Sequence, residues 1–582
     1  MNRRKFTSIS ALGVAGTSIL NPLHGNAKEQ PKQFFKNIAE YARLSLNCLD
    51  RFCDKSRGQI PYFYTEFNRT PLSAGHQIWS YGDGLGRTVD ALVLIRHMLG
   101  QQINSPDDHV KQTTLISFIA PDGLSWCPAE PWTISVPHTR PAWLQQGTLL
   151  AFTSLYLSTK NEYYKLLAEK NIDGIIKLAR FYDDGHADFP GDYFTLAEGW
   201  SKPSDDRMHR PSIFYTSVTM PLMRFYRATK YEPALKLASA LIQWTLSDNN
   251  DVSGMFELGH FHSQSRIITA LLLRAKSTGS IGDIIKAEQL YLKAKKLGTE
   301  SGWFPEQINN PELNRSKLAE TCCLTDMLES AILLAELKDE KYWNDVERFA
   351  KNHLFAFQIS DTGWFAHTDH KAHVLGYEPI LKSDKIGELI KGGFAGWGAV
   401  TAMSDDSPFA NANQQCCNAA GARALYDVWK YAVSDNGTEF TVNLHIHRKH
   451  KCAEIIMEEG TSGTLSIKVL ADREIRVHLP ENLKVTEVIA SVNNQLVQPE
   501  LKAGFLNFGP LHSNDRVKID YPMKSIVREE HLAAGDFRFT YQGSTVAKAE
   551  PRQKFGEYFT YLRFTDQPPK FDENLMEEID SL

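Results

Sequence analysis

Apolar residues recur at helical spacing between residues 32 and 433. In the segment 36–53, for example, Ile38, Tyr41, Leu44 and Leu49 alternate with polar side chains at intervals of three to five positions. The same spacing predicts helices over residues 36–53, 88–99, 146–158, 163–181, 233–246, 265–275, 284–297, 318–337 and 341–350. This part of the chain is therefore predicted to be helical.

The predicted helices come in pairs. Residues 147–156 lead through a short polar turn to a second helix that opens on Tyr163, and residues 320–337 lead through another turn to Tyr342. Helix pairs that recur must bury their apolar faces on neighbouring pairs, and for roughly 400 residues a closed ring is more economical than an open array. We therefore predict an (α/α) toroid, the catalytic domain, over residues 32–433.

The period of the pattern changes to two after the turn at 434–437. Apolar and polar side chains then alternate, and glycine-containing turns separate the runs. The predicted strands cover residues 439–447, 464–469 and 474–479. This predicts an antiparallel β-sandwich over residues 437–525.

The last segment, residues 526–582, is predicted to hold one more strand and a tail. The strand includes Phe537 and Tyr541, and the tail, residues 572–582, is acidic and expected to fray. Several domains suit a chain of 582 residues, which is too long for one simple core.

The N-terminus has the shape of an export signal. Arg3, Arg4 and Lys5 precede an apolar run over residues 9–20, and cleavage is expected after Ala27. The paired arginines resemble a twin-arginine signal, with an ordinary secretory signal as the alternative. No later segment has the roughly 20 apolar residues in a row that a membrane helix needs. We therefore expect a periplasmic or secreted protein without its first 27 residues.

Charge and aromatic content narrow the choice of partner. The chain has 64 basic and 69 acidic residues, so it lacks the basic surplus of a nucleic-acid-binding protein. Its aromatic content of 11% suits an oligosaccharide, because sugar rings stack on aromatic faces. The sequence leaves the oligomeric state open.

The eight cysteines are ambiguous in an exported protein, where disulfides are common. Cys48 and Cys53 can form a disulfide if a helix ends between them, and we leave this pairing open. Adjacent cysteines bridge each other only with strain, so the pair Cys416-Cys417 is poorly suited to an internal disulfide.

Two short elements carry the candidate chemistry. Glu320 and Cys322 stand two residues apart in Glu-Thr-Cys, and Cys416 and Cys417 precede a predicted helix. Three thiolates and one carboxylate are enough to close a tetrahedral Zn²⁺ site. Such a site can hold the fold together or activate one thiolate as a nucleophile, and the residues alone leave both roles open.

The helical toroid, the trailing sheet domain, Glu-Thr-Cys and the later Cys-Cys pair together resemble the glycoside hydrolase family of zinc-dependent β-L-arabinofuranosidases. The resemblance covers residues 35–525. It implies zinc on Glu320, Cys322, Cys416 and Cys417, with Cys416 as the nucleophile of a retaining exo-glycosidase. It also implies a glutamate upstream of Glu-Thr-Cys as general acid/base.

Three glutamates compete for the acid/base role, namely Glu300, Glu306 and Glu312. We favour Glu306, because it follows an aromatic loop whose desolvation would raise the pKa of a carboxyl group, as a general acid requires. The candidate substrate-binding residues are His76, Trp79, Asp83, His260, His262 and Trp303. Asp83, Arg87 and Asp90 follow one another at helical spacing and are equally consistent with an internal ion-pair network.

The sequence departs from the family at two places. Asn418-Ala419 follows the cysteine pair where the family has prolines, and the substrate histidine expected before Trp143 is not obvious, although His138 is near. These departures leave the metal ligands in place and put the sugar in doubt.

Other functions remain open. One alternative is a 3,6-anhydro-galactosidase that acts on algal oligosaccharides. Another is a toroid polysaccharide lyase, for which Tyr81, His209 and Arg210 would supply the base and the charge neutralisation. The third is a non-catalytic carbohydrate-binding protein with a structural zinc ion. The sequence leaves the glycone and the linkage undetermined.

Overall fold

A computed structural model describes most of the chain after residue 36. The described residues are 37–67, 70–127, 142–191, 194–195, 199–200, 216–248, 254–309, 317–365, 380–404, 412–553, 555–559, 571 and 575–582. The predicted export signal, residues 1–27, lies outside them.

In the described part of the chain, the helices lie between residues 38 and 431, as the periodicity predicts. In chain order they are α1 (Ile38–Arg51), α2 (Gly86–Met98), α3 (Pro106–Ser117), α4 (Ala142–Thr159), α5 (Glu162–Leu178), α6 (Thr219–Thr229), α7 (Glu232–Asp248), α8 (Phe261–Thr278), α9 (Ile281–Lys295), α10 (Thr321–Leu337), α11 (Trp343–Phe349), α12 (Ile386–Ile390) and α13 (Gln415–Tyr431). The sequence did not predict α3, α6 and α12.

Six of these helices form a closed inner ring. Going round the ring, α2 packs on α4, then α6, α8, α10 and α13 follow, and α13 returns to α2. Helices α1, α3, α5, α7, α9 and α11 pack outside the ring. The predicted (α/α) toroid is therefore confirmed.

The inner helices are buried on every side, and their polar side chains pair inside the ring. Asp90 on α2 accepts hydrogen bonds from Arg224 on α6 (2.8 Å) and Arg423 on α13 (2.9 Å), and Arg423 also bonds Glu329 on α10 at 2.7 Å. A buried charge must be paired to be tolerated, so this network ties four inner helices together.

The second part of the chain is a sandwich of two sheets. One sheet runs, edge to edge, Val433–Asp435, Glu439–Val442, Arg473–His478, Phe505–Leu511 and Glu500–Lys502. The other runs Arg448–His450, Ala453–Glu459, Ser462–Val469, Arg516–Pro522, Ile489–Val492 and Gln495–Val497. Apolar residues from both sheets, such as Phe440 and Ile467, share one core. All strand pairs are antiparallel except Glu439–Val442 with Arg473–His478, which is parallel.

A three-stranded antiparallel sheet follows the sandwich, with strands Ser525–Leu532, Gly535–Gln542 and Thr545–Glu550. The sequence predicted only the middle strand. The expectation of a frayed tail is wrong for its described end, because Ile579 and Leu582 are buried. The Tyr426 hydroxyl donates to the Ile579 carbonyl at 3.0 Å, and Arg423 donates to the Ser581 carbonyl.

One buried cluster joins the toroid, the sandwich and the three-stranded sheet. The Lys351 ammonium, after α11, lies 2.8 Å from Glu347 of that helix and 2.8 Å from Glu459 of the sandwich. Ser544, in the turn between the last two strands of the three-stranded sheet, donates to Glu347 at 2.8 Å.

Short strands shape the remaining connections. They are Cys53–Asp54 with Ile60–Pro61, Tyr64–Glu66 with Ser73–Gly75 and Ala412–Gln414, Leu381–Lys382 with Ser73–Gly75, Arg180–Phe181 with Ala187–Asp188, Phe194–Thr195 with Gly199–Trp200, Gly259–His260 with Gln307–Ile308, and Ala402–Ser404 with Phe555–Glu557. None of the helices in the described ranges is long and apolar enough to cross a membrane.

Candidate active site and metal centre

Helices α10 and α13 begin in the same way. Glu320 and Gln414 each precede the first helical residue in an extended conformation (φ −105°, ψ 136° and φ −123°, ψ 139°), and neither side chain caps its own helix. Cys322 and Cys416 are the second residues of their helices, and Cys417 follows. The two helices are neighbours in the inner ring, so these side chains meet at its mouth.

The four predicted ligands form one cluster. The ligand atoms of Glu320, Cys322, Cys416 and Cys417 all lie within 4.8 Å of one another. The Cys417 sulfur lies 4.0 Å from each of the other two sulfurs. Tetrahedral zinc with Zn–S bonds of about 2.3 Å separates its sulfurs by roughly 3.8 Å, so the donor set fits this ion in chemistry and in spacing.

The cluster is buried. The exposed fraction of its four residues ranges from none for Cys417 to 8% for Cys416. Hydrogen bonds from Cys416 and Cys417, opposed by burial, hold the pKa of Cys322 well below its usual value. The hydrogen bond to Cys322 raises the pKa of Cys416, and burial raises that of Cys417. Of the three thiols, that of Cys322 therefore ionises most readily.

Arg87 supplies a permanent positive charge beside the cluster. It lies on the first turn of α2, and its Nη1 donates to the Cys322 sulfur at 3.6 Å. Its Nε donates to Asp83 at 3.0 Å, and its Nη2 lies 3.4 Å from His262 Nε2. Asp83, in the π-helical turn Tyr81–Leu85, therefore positions Arg87 in this structure.

His262 is anchored from its other side. Its Nδ1 lies 2.6 Å from Asp326 on α10, and Arg266 bonds the second oxygen of the same carboxylate at 3.1 Å. Burial alone would lower the pKa of His262, but Asp326 overcomes this and raises it. His262 is therefore an ordered polar side chain. It contacts Arg87, which in turn contacts Cys322 of the cluster.

Glu306 and His260 lie on the carboxylate side of the cluster. The strand pair Gln307–Ile308 and Gly259–His260 holds them, and the backbone N–H of Phe261 donates to the Glu306 carbonyl at 2.8 Å. Ligand atoms of His260, Glu306 and Glu320 lie within 4.8 Å of one another. His260 Nε2 is 3.3 Å from Glu320, and its Nδ1 is 2.8 Å from Ser263 Oγ.

The competing glutamates are placed elsewhere or not described. Glu300 pairs with Lys295 at 3.4 Å and with Arg348 at 3.2 Å, and its backbone N–H donates to Glu530. Glu312 lies outside the described residues. Of the candidates that the structure describes, Glu306 is the one beside the predicted metal ligand Glu320.

Aromatic side chains cover the cysteines. Phe63 packs with Cys322, Cys416 and Cys417, and the half-buried rings of Tyr64 and Trp79 lie against this group. Trp79 stacks on Phe63 with ring centroids 6.1 Å apart and also contacts Trp143 at 4.6 Å. Such a wall suits the apolar face of a sugar ring.

Two predicted substrate-binding residues lie in other surroundings. Trp303 is only 1% exposed, and its indole donates to the Gly398 carbonyl at 3.1 Å, so it packs in the core and offers no face to a sugar. His76 is buried, with Nδ1 3.2 Å from Ser80 and Nε2 3.4 Å from Asp54.

The remaining predicted residues fall outside the cluster. Tyr81, a candidate base for a lyase, is buried edge-to-face against Phe118. His138, His209 and Arg210 lie outside the described residues. Cys48 and Cys53 are both free thiols, although α1 does end between them.

The structure contains two cavities of particular interest. One lies where the three parts of the chain meet and is lined by Glu347, Lys351 and Tyr521. The other lies inside the ring, against Arg87 and Cys322. Among the described residues, the predicted site residues Cys322 and His262 line the inner-ring cavity, and none of the predicted site residues lines the other one.

Sequence reasoning did not assign Gln414 or Asp326 to the site, and it treated Arg87 only as an ion-pair residue. A signal for Gln414 was present, because Gln-Gln-Cys repeats the spacing of Glu-Thr-Cys. No such signal exists for Asp326, whose role depends on the packing of α8 against α10.

Comparison with known proteins identifies the fold. No family model matches the chain, and no curated protein matches its sequence. Among solved structures, Ara127N, a GH127 β-L-arabinofuranosidase from Geobacillus stearothermophilus T6, is 13% identical with a TM-score of 0.54, covering 88% of this chain and 80% of its own.

Two further structures agree. A second GH127 β-arabinofuranosidase is 14% identical, with a TM-score of 0.54, and covers 88% of this chain and 80% of its own. A structure described as a glycoside hydrolase is also 14% identical, with the same TM-score, and covers 90% of this chain and 84% of its own. The chain therefore has the fold of these proteins, a helical toroid followed by a β-rich region.

Proposed function

We propose that this protein is a retaining exo-glycosidase that uses Cys416 as nucleophile and Glu306 as general acid/base. One observation carries the proposal: the Glu306 carboxylate lies within 4.8 Å of Glu320, whose own carboxylate belongs to the cysteine cluster. A nucleophile and a proton donor on either side of one residue can act on the same bond. The fold that the chain shares with GH127 β-L-arabinofuranosidases also supports the proposal of a glycosidase.

Glu320, Cys322, Cys416 and Cys417 would hold a zinc ion in this proposal. Bound zinc would keep the thiolates deprotonated at neutral pH. Arg87 then offsets part of the negative charge that three thiolates and a carboxylate bring to the site.

The first chemical step forms a bond between sulfur and sugar. The Cys416 thiolate attacks the anomeric carbon while the carboxylic acid of Glu306 gives its proton to the leaving oxygen, and the carbon–oxygen bond breaks. The products of this step are a free alcohol, a glycosyl group on Cys416 and an ionised Glu306.

The second step returns the protein to its starting state. The Glu306 carboxylate takes a proton from water, the resulting hydroxide attacks the anomeric carbon, and the carbon–sulfur bond breaks. Two inversions give net retention.

The proposed substrate is a non-reducing-end furanoside of the β-L-arabinofuranose type. The half-buried rings of Tyr64 and Trp79 would contact the apolar face of the sugar, and the ordered imidazoles of His260 and His262 would bind hydroxyl groups.

We further propose that the twin-arginine-like segment at Arg3 and Arg4 directs export. An Arg3→Lys, Arg4→Lys variant that still reaches the periplasm by a Tat-dependent route would overturn that part.

The deciding experiment screens 4-nitrophenyl furanosides and anhydro-sugar oligosaccharides, with bound zinc measured on the same sample. We expect about one zinc per chain, since the cluster provides one tetrahedral donor set, release of L-arabinose with retained configuration by NMR, and loss of turnover in Cys416→Ser. Cys323→Ser is the matched control, because Cys323 neighbours Cys322 but is not part of the cluster. Unchanged turnover in Cys416→Ser would overturn the assignment of the nucleophile.

A further inference from the structure

Gln414 occupies, on α13, the position that the metal ligand Glu320 occupies on α10. Its backbone is fixed by the strand Ala412–Gln414, in which it pairs with Tyr64, and the next N–H donates to the Phe63 carbonyl at 2.8 Å. Its side chain does not cap the helix that follows. The backbone therefore holds the Gln414 side chain at the cluster, and helix capping does not account for this position.

The amide contacts the proposed nucleophile. The Gln414 Oε1 lies 3.8 Å from the Cys416 sulfur, and the residue is 6% exposed. Among the described residues its Nε2 has no hydrogen-bond partner. A buried amide donor without a partner is destabilising. A hydrogen-bond acceptor beside Gln414 Nε2 would remove this cost.

A deprotonated Cys416 is such an acceptor. A thiol can donate to the amide oxygen, but a thiolate has no proton to give. A half-turn of the carboxamide about its last bond exchanges oxygen and nitrogen and points an N–H at the sulfur. The buried donor and the buried thiolate then satisfy each other.

Among the described residues, the neighbouring Cys417 has no such partner. The Cys417 sulfur lies 3.9 Å from the Gly396 carbonyl oxygen, which can only accept a hydrogen bond. The two adjacent cysteines thus differ in their surroundings: an amide able to donate faces Cys416, and a backbone acceptor faces Cys417.

We propose that Gln414 is a positioning residue that selects Cys416 as the sulfur that reacts. An N–H···S hydrogen bond from its side chain fixes the direction of the Cys416 sulfur and draws charge from it, so that a cation holds this sulfur less tightly than it holds Cys417. A carboxylate at this place, as in Glu320, would repel the thiolate. The proposal rests on the proposed function of Cys416.

The test uses Gln414→Glu, which keeps the shape and removes the donor, and Gln414→Leu, which removes all polarity. Gln495→Leu, on an exposed edge strand of the sandwich, is the control. Each protein is loaded with Co²⁺, and the thiolate-to-cobalt charge-transfer band is recorded together with kcat and KM. Removing an N–H···S bond should shift the band to lower energy and reduce kcat by about 10–100-fold, with KM changed much less.

The outcomes separate the two proposals. If Gln414→Glu and Gln414→Leu leave both the band and kcat as in the wild type, the role of Gln414 is wrong. If the wild type instead shows no turnover that depends on Cys416, the proposed function is wrong, and the band shift still decides whether Gln414 bonds to the sulfur. Should Gln414→Leu fail to fold, the isosteric Gln414→Glu provides both readouts.

Discussion

The sulfur atoms of Cys322 and Cys417 lie 4.0 Å apart, although 95 positions separate the two residues in the chain. Only the return of α13 to the side of α10 in the closed ring brings them together. The contact joins the two halves of the candidate metal centre, and the integrity of the site can be tested on these two side chains.

The first prediction concerns metal binding. Cys417→Ser replaces the most deeply buried thiolate by a poorer ligand, so zinc affinity should fall by at least about 10–100-fold, the range that even outer-shell changes produce. Competition with a chromophoric chelator measures the affinity directly. Cys323→Ala is the control, because this buried neighbour of Cys322 is outside the cluster. Equal affinity in Cys417→Ser and wild type would contradict the proposed ligand set.

The second prediction separates the glutamates. Glu306→Gln should lower kcat/KM, which reports the first step, by about 10²–10⁴-fold with an alkyl leaving group, since the proton donor is lost. The loss of kcat/KM should be much smaller with a 4-nitrophenyl leaving group, which departs without protonation. Glu300→Gln, whose side chain pairs with Lys295 and Arg348, should behave as wild type in both assays. If Glu300→Gln showed this loss and Glu306→Gln behaved as wild type, the acid/base residue would be Glu300.

The third prediction tests the charge at Arg87. Arg87→Met leaves Asp83 and the Cys322 thiolate without their shared cation, so zinc affinity should fall by about 10–100-fold. Arg87→Lys keeps the charge but not the fork that spans Asp83, Cys322 and His262, and should recover part of the loss. Arg43→Met, at an exposed pair with Glu40, is the control. An Arg87→Met protein with wild-type zinc affinity would show that this charge is irrelevant to the site.

The fourth prediction concerns the cluster that joins the three parts of the chain. Burial opposes ionisation of Glu347, but Lys351 outweighs it and lowers the pKa of Glu347 to about 2. Lys351→Met leaves Glu347 and Glu459 buried without a cation, which should cost about 3–5 kcal/mol at pH 7 in urea unfolding. Lys548→Met, at an exposed pair with Glu550, should change stability by less than about 1 kcal/mol.

The same pair gives a pH dependence whose sign is fixed. A carboxyl whose folded pKa lies below its unfolded value contributes stability above the unfolded value, and this is lost as the pH falls through the folded one. Glu347 therefore contributes fully above its ordinary pKa of 4.5, and its contribution disappears as the pH falls towards 2. Urea unfolding at several pH values should show a smaller wild-type advantage over Lys351→Met at pH 3 than at pH 7.

The fifth prediction concerns the tail. Deletion of residues 575–582 removes the acceptors of the Arg423 and Tyr426 side chains, and should cost about 2–6 kcal/mol, at about 1–3 kcal/mol for each buried donor left unpaired. Glu577→Gln is the control, because this side chain is exposed and only its backbone carbonyl contacts His97. A deletion variant as stable as the wild type would show that the contacts of the tail with the toroid contribute nothing to the free energy of unfolding.

Local patterns in the sequence determined a large part of this protein. Helical periodicity is a property of neighbouring residues, so the helices that carry it were predicted to within a few residues, while the more polar α3 and the Pro221-containing α6 were missed. The types and order of the four candidate ligands were also present in the sequence. Their chemistry limits the metals that they can bind.

Only the tertiary structure decided which distant residues share the site. Glu300 and Glu306 are six positions apart and look alike in the sequence, yet one pairs with Arg348 and the other lies beside Glu320. Trp303 is buried in the core, while the packing of α13 between α2 and α10 brings Arg87 and Gln414 to the cysteines. Such contacts depend on how the ring closes, and ring closure is a property of the whole chain that no local pattern contains.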